Sequence, residues 1–253
     1  MIALNTSINI NSEIYLKDPK STDLGKKILN KSIELIDKLG LENFNFKKLA
    51  QKISSTESSI YRYFENKHYL FIYLINWYWE WTSARIDIGT INIADPKQKL
   101  KKVIRALNEA SFIDMNIPFI DEETLHRIVV REGAKAYHHK TVDNDNEYGF
   151  FLSYKHLCKK ISLIMLEINK KYKYPKALAS TLIETCNNNI YFAKHLPRLT
   201  DIQYNKNSDK LKQELFEMLY QMVISNLLYN PNRKTTKKKT VPSSNNYNQD
   251  NFN

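Results

Sequence analysis

Apolar residues recur at three- and four-residue spacings along most of this chain, the signature of amphipathic helices, and the breaks between them fall at capping residues, glycines and prolines. Residues 23–39 place Leu24, Ile28, Leu35, Ile36 and Leu39 inward, and Gly40 closes the helix. Phe46, Leu49, Ala50 and Ile53 line one face of a short second helix. Thr56 caps a third over residues 57–64. Asn66 caps a fourth, from Lys67 to about Ile88, and Pro96 opens a fifth, to about Phe112. A sixth runs from Asp121 to around Tyr137. After a polar break at 140–146 a seventh covers about 148–171, Pro175 opens an eighth to about His195, and a ninth spans about 208–228. The pattern predicts an all-α chain of about nine helices. Residues 1–20 read as a flexible polar arm and residues 230–253 as a disordered basic tail.

Composition supports this picture. Only five glycines and seven prolines interrupt 253 residues, too few for a sheet-rich chain with many turns. Net charge is +11, which suits a polyanionic partner but is spread widely. Residues 20–85 carry 11 basic and 7 acidic side chains, and residues 230–253 carry 5 and 1. The start has no basic n-region or long apolar stretch, and the most apolar window, 69–81, contains Asn76 and Glu80 and is too short to span a bilayer. These features predict a cytoplasmic protein with no membrane partner. Cys158 and Cys186 have no metal-ligand spacing and read as free core thiols. His138 and His139 are adjacent and face apart, while His126, His156 and His195 are isolated, so no metal site is predicted. There is no glycine-rich phosphate loop, nucleophile elbow or paired-cysteine motif. No catalytic residue, no cofactor and no enzyme activity are expected.

The chemistry gathers in residues 45–70. Helix, tight turn, helix is the geometry that lays a second helix in a DNA major groove, and the outward positions of the second helix are short hydroxyls, tyrosine and arginine. This stretch, with the helix before it, resembles the DNA-binding domain of the TetR repressor family. Ser32 stands at that family's small mid-helix position and Gly40 at its closing glycine. Asn45 with Leu49-Ala50, then Ile60-Tyr61-Arg62-Tyr63-Phe64, then Lys67 and Leu70, keep the family's spacing. Ser54-Ser55 departs from the family's Gly-Val turn. A serine in the left-handed conformation costs about 1 kcal/mol, and Ser55 lacks valine's apolar contact. The resemblance implies a helix-turn-helix head over 21–68 and a helical effector-binding and dimerisation domain over 69–229. It also implies that Tyr61 and Lys67 touch the DNA backbone.

Residue chemistry extends the candidate interface. Asn45, Lys47 and Lys48 stand at the first turn of helix two, where a side-chain amide, ammonium groups and backbone amides can meet phosphate. Thr56, Ser58 and Ser59 are short enough for close approach. Arg62 suits a guanine edge, Glu57 a cytosine amino group and Tyr63 a thymine methyl. One head reads few base pairs, so a specific operator on double-stranded DNA needs a two-fold homodimer. The last two long helices are the candidate interface, with Leu178, Leu182, Ile183, Ile190 and Phe192 on one, and Leu211, Leu215, Phe216, Met218, Leu219, Met222, Val223 and Leu227 on the other. Trp77, Trp81, Phe112, Tyr154 and Asn188 are candidate walls of a pocket for an unknown small-molecule effector. Two functions are consistent with these features. One is a ligand-responsive transcriptional regulator, a repressor released from its operator by a small molecule. The other is an all-helical protein-interaction module with a degenerate head.

Overall fold

The computed structural model describes residues 8–108, 119–204 and 208–229. Among these are ten α-helices and no strand: α1 Asp23–Asn43, α2 Phe46–Ile53, α3 Glu57–Tyr61, α4 Lys67–Thr90, α5 Pro96–Asn108, α6 Glu122–Glu132, α7 Val142–Glu147, α8 Leu152–Ile168, α9 Pro175–His195 and α10 Ser208–Leu228. Most helix starts are those that the capping residues indicate. Side-chain oxygens of Thr22, Asn45, Thr56, Asn66 and Asp121 accept backbone N–H groups of the turns they open. Gly40 breaks the regular path of α1 at φ 76°, a backbone conformation that suits glycine.

α4 is the central element. Its residues from Leu70 to Trp79 are all buried, so it is apolar around its whole circumference. It packs against α5, α6 and α8. The buried side chains of α1–α3 run without a break through α4 into the core of α5–α10. Asn76 is buried at the centre of this core. Its amide donates to the Ile72 carbonyl at 2.9 Å and the Phe150 carbonyl at 2.7 Å, so the polar group is satisfied and ties α4 to the start of α8.

Two expectations need correction. Residues 8–20 do not form a loose arm. Ile8, Ile10 and Ile14 are buried, two short 3₁₀ turns are capped by Asn11 and Asp18, and the Leu16 N–H donates to the Tyr63 carbonyl at 2.8 Å. Three isoleucines among polar neighbours supply enough apolar area to hold the segment down. The polar break at 140–146 also contains a helix, α7, whose ends are closed by backbone bonds rather than by an apolar face. The sequence-predicted residues 109–118, 205–207 and 230–253, Phe112 and the basic tail among them, lie outside the described residues.

Candidate nucleic-acid interface

α2 and α3 meet through a turn whose geometry follows from its hydrogen bonds. Ser54 lies in the left-handed region at φ 54°, ψ 52°. The Ser55 N–H donates to the Ala50 carbonyl at 2.9 Å, the reach-back bond of a Schellman ending. The serine thus occupies the backbone position that favours glycine. Lys27 donates to the Ile53 carbonyl at 2.8 Å and satisfies part of the α2 C-terminus. Lys31 and Lys52 both pair with Glu34, at 2.8 and 2.6 Å, and hydrogen bonds from these two lysines hold the Glu34 carboxyl down at about 2.

Phe46, Leu49, Ala50, Ile53, Ile60 and Phe64 are buried and lock the two helices together. The opposite side carries Asn45, Lys47, Lys48, Thr56, Glu57, Ser58, Tyr61 and Arg62, all exposed, with Ser59 half-buried. Thr56 is the centre of a hydroxyl cluster. Its Oγ1 lies 2.9 Å from the Oγ of both Ser58 and Ser59 and accepts the Ser59 N–H at 3.3 Å. Tyr61 is 47% exposed, with its ring edge-on to Phe46 at 5.0 Å. That contact stands the phenol beside the first turn of α2. Asn45 Oδ1 accepts the Lys48 N–H at 2.9 Å, so its carbonyl serves as the cap and its amide stays available. Lys48 donates to the Asn43 carbonyl at 2.7 Å.

Two residues face elsewhere. Tyr63 is 4% exposed and is no candidate for a thymine methyl. Its hydroxyl bonds the Thr22 hydroxyl at 2.7 Å, the group that caps α1. The regular turns of α3 end at Tyr61, and beyond the exposed Arg62 the chain turns Tyr63 and Phe64 inward. Lys67 turns back. Its ammonium is 3.2–3.3 Å from the carbonyls of Leu41, Glu42 and Phe44 and satisfies the end of α1. Its charge is therefore engaged within the chain, and any phosphate contact would be additional.

α6 grips the same end of α1. Arg131 donates to the Ile36 and Asp37 carbonyls at 3.1 and 3.0 Å, Arg127 pairs with Asp37 at 3.1 Å, and Lys135, beyond α6, pairs with Glu42 at 3.1 Å. Sequence reasoning assigned none of these residues, and their exposed-helix spacing carries no signal of a distant partner.

The proposed effector walls divide. Trp77 and Trp81 are buried and stacked at 6.3 Å, and the Arg85 guanidinium lies over Trp81 at 4.6 Å. Tyr154 sits apart from this pair, between Trp79 and Tyr137, and donates to Glu184 at 2.8 Å. Asn188 is exposed on α9 and does not join them. In the same asparagine run, Asn189 accepts from Thr200 at 2.7 Å and donates to the Thr185 carbonyl, which gives that residue a structural use. Buried next to the tryptophans is His126, whose Nδ1 is 2.6 Å from the Tyr78 hydroxyl. Burial, with Arg85 and Arg127 nearby, pushes this imidazole down to about 4. Burial pushes the thiols of Cys158 and Cys186 up to about 11 and about 12, so both are unreactive near neutral pH.

No family model matches the sequence, and no curated protein does. Solved structures do match. A TetR-family transcriptional regulator from Syntrophomonas wolfei superposes with a TM-score of 0.57 at 18% identity, covering 83% of this chain and 97% of its own. AibR, solved with isovaleryl coenzyme A and operator DNA, gives 0.52 at 14% identity over 76% and 96%. The superantigen PfiT gives 0.53 at 12% identity over 80% and 97%. The chain has the all-helical fold of TetR-type regulators.

Proposed function

We propose that this chain is a DNA-binding transcriptional regulator of the TetR type, acting as a homodimeric repressor that a small molecule releases from its operator. The observation that carries this reading is the α2–turn–α3 unit. Its apolar side is fully used in packing, while Asn45, Lys47, Lys48, Thr56, Glu57, Ser58, Tyr61 and Arg62 stand together in solvent. A polar, hydroxyl-rich, cationic face on a short helix-turn-helix fits a major groove. On this reading, Asn45, Lys47, Lys48 and Tyr61 contact phosphate, and Glu57 and Arg62 contact base edges. AibR, of the same fold, binds operator DNA and an acyl coenzyme A, which supports a DNA partner and a small-molecule effector here.

The mechanism is a population shift. The end of α1 is held from two sides, by Lys67 at the start of α4 and by Arg127, Arg131 and Lys135 on and beyond α6. An effector among the α4–α6 side chains that favours one placement of α4 against α6 thereby changes the placement of the recognition unit, and with it the spacing of two such units in a dimer. The dimer face on α9 and α10 is narrower than the apolar pattern indicates. Leu178, Leu182, Ile183, Leu211, Leu215, Leu219, Val223 and Leu227 are buried within the chain. Ile190, Phe192, Phe216, Met218 and Met222 remain partly open for a partner.

A second reading, a protein-interaction module on the same fold, is favoured by the Ser54-Ser55 turn and by the superantigen of this fold. Fluorescence anisotropy with the DNA upstream of the chain's own gene, over a series of salt concentrations, separates the two. Specific binding that falls steeply with salt supports the regulator. Absent or salt-insensitive binding supports the module.

A further inference from the structure

We propose that His68, His139 and Asp145 form a binding site for one divalent transition-metal ion, with Zn²⁺ the ion best suited to the ligand set. The three come from separate elements. His68 is on the first turn of α4, His139 follows the 3₁₀ turn Gly133–Ala136, and Asp145 lies in α7. The fold brings their ligand atoms within 4.8 Å of one another. His68 Nε2 is 2.7 Å from Asp145 Oδ2 and His139 Nε2 is 3.4 Å from the same oxygen. The two imidazole rings stand edge to face at 4.7 Å. Ligands about 2.0–2.2 Å from a tetrahedral ion lie roughly 3.4 Å from one another. The observed spacings therefore need only small side-chain movements.

The chemistry of the set agrees. Two neutral imidazoles and one carboxylate suit Zn²⁺ and related ions and leave a position for water or another ligand. Asp145 is buried and His68 and His139 are half-buried, so the carboxylate is largely shielded while an ion still has a path from solvent. An outer partner is also in place. His139 Nδ1 is 3.2 Å from the Thr141 hydroxyl, which can accept a hydrogen bond from an Nδ1–H and so leave the Nε2 lone pair for the ion. The His139 Nε2 also faces the Ala136 carbonyl at 3.1 Å, a contact that an ion at this site would replace with a coordinate bond. The ion would join the first turn of α4, one residue from Lys67, to the α7 segment. Only the consequence for DNA binding rests on the regulator reading.

The test is titration calorimetry of the full, chelator-treated chain with ZnSO₄, in the absence of DNA. The expected result is one ion per chain. His68→Ala and His139→Ala should each weaken binding at least 100-fold, Thr141→Val about 10-fold or more, and His156→Ala and His195→Ala not at all. Circular dichroism of each metal-free variant shows whether it is folded. If an alanine variant is not, His68→Asn and His139→Asn take its place. A Co²⁺-loaded wild-type chain should show visible d–d absorption without a thiolate charge-transfer band. No Zn²⁺ binding, binding indifferent to His68 and His139, or a thiolate band would each overturn the site. Anisotropy on operator DNA with and without Zn²⁺ then reads the regulatory consequence, expected as a change in affinity of at least 3-fold. An unchanged affinity with the ion bound removes that consequence and leaves the site. Loss of all DNA binding removes the regulator reading instead.

Discussion

At Ser54 a side chain with a Cβ sits at φ 54°, and the penalty for that is a property of the residue, not of its contacts. Ser54→Gly should raise stability by about 1 kcal/mol, read as a higher denaturant midpoint at unchanged slope; a fall would mean that the serine makes a compensating contact. Tyr61 and Arg62 are neighbours with different expected roles. Tyr61→Phe should weaken DNA binding alike on all sequences, whereas Arg62→Ala should change base preference in a selection from randomised sites. If the two variants behave identically, the division into backbone and base contacts is wrong. Lys67→Ala should lower stability as well as DNA affinity, because its ammonium serves three carbonyls at the end of α1; an unchanged unfolding midpoint would contradict that role. Tyr63 departs from expectation at this scale. The exposed side of α3 stops short of it, and no local pattern distinguishes a terminal aromatic that points out from one that folds back onto a cap.

At the scale of elements, side-chain caps were the most legible features, because each is a local match between an oxygen acceptor and unsatisfied N–H groups. Thr56, Asn66 and Asp121 mark the starts of α3, α4 and α6 in sequence and structure alike, whereas Asn45, expected in the first turn of the second helix, is the cap of α2. α7 was not legible, since Val142–Glu147 is almost wholly polar and its position is set by Asp145 and His68 across 77 residues. The same distance hid the histidine cluster, as spacing rules see only near neighbours. The contact of α4 with α6 carries a pH dependence. His126 titrates at about 4 in the folded chain and near 6.5 when unfolded. Its contribution is complete above pH 6.5 and is lost as pH falls toward 4, by roughly 1 kcal/mol per pH unit. Denaturant midpoints should therefore fall through this window, and His126→Gln should flatten the fall. An equal slope in wild type and variant would show that His126 does not ionise on unfolding.

For the whole molecule, the all-helical class followed from periodicity and from the scarcity of glycine and proline, and the order of the long helices held. What the sequence concealed is how the pieces are joined. Arg127, Arg131 and Lys135 reach the end of α1 across 90 to 94 residues, and the apolar core is continuous from α1 to α10. On the proposed mechanism, these contacts would carry a change in the α4–α6 region to the exposed face of α2 and α3. The central claim is that this face meets duplex DNA. Its most direct test is the salt dependence of anisotropy on upstream DNA, wild type against a Lys47→Ala, Lys48→Ala double variant. The account predicts nearly linear loss of log affinity with log salt, and a slope about 2 units shallower for each double-variant chain bound. Equal slopes, or binding by neither protein, would contradict it.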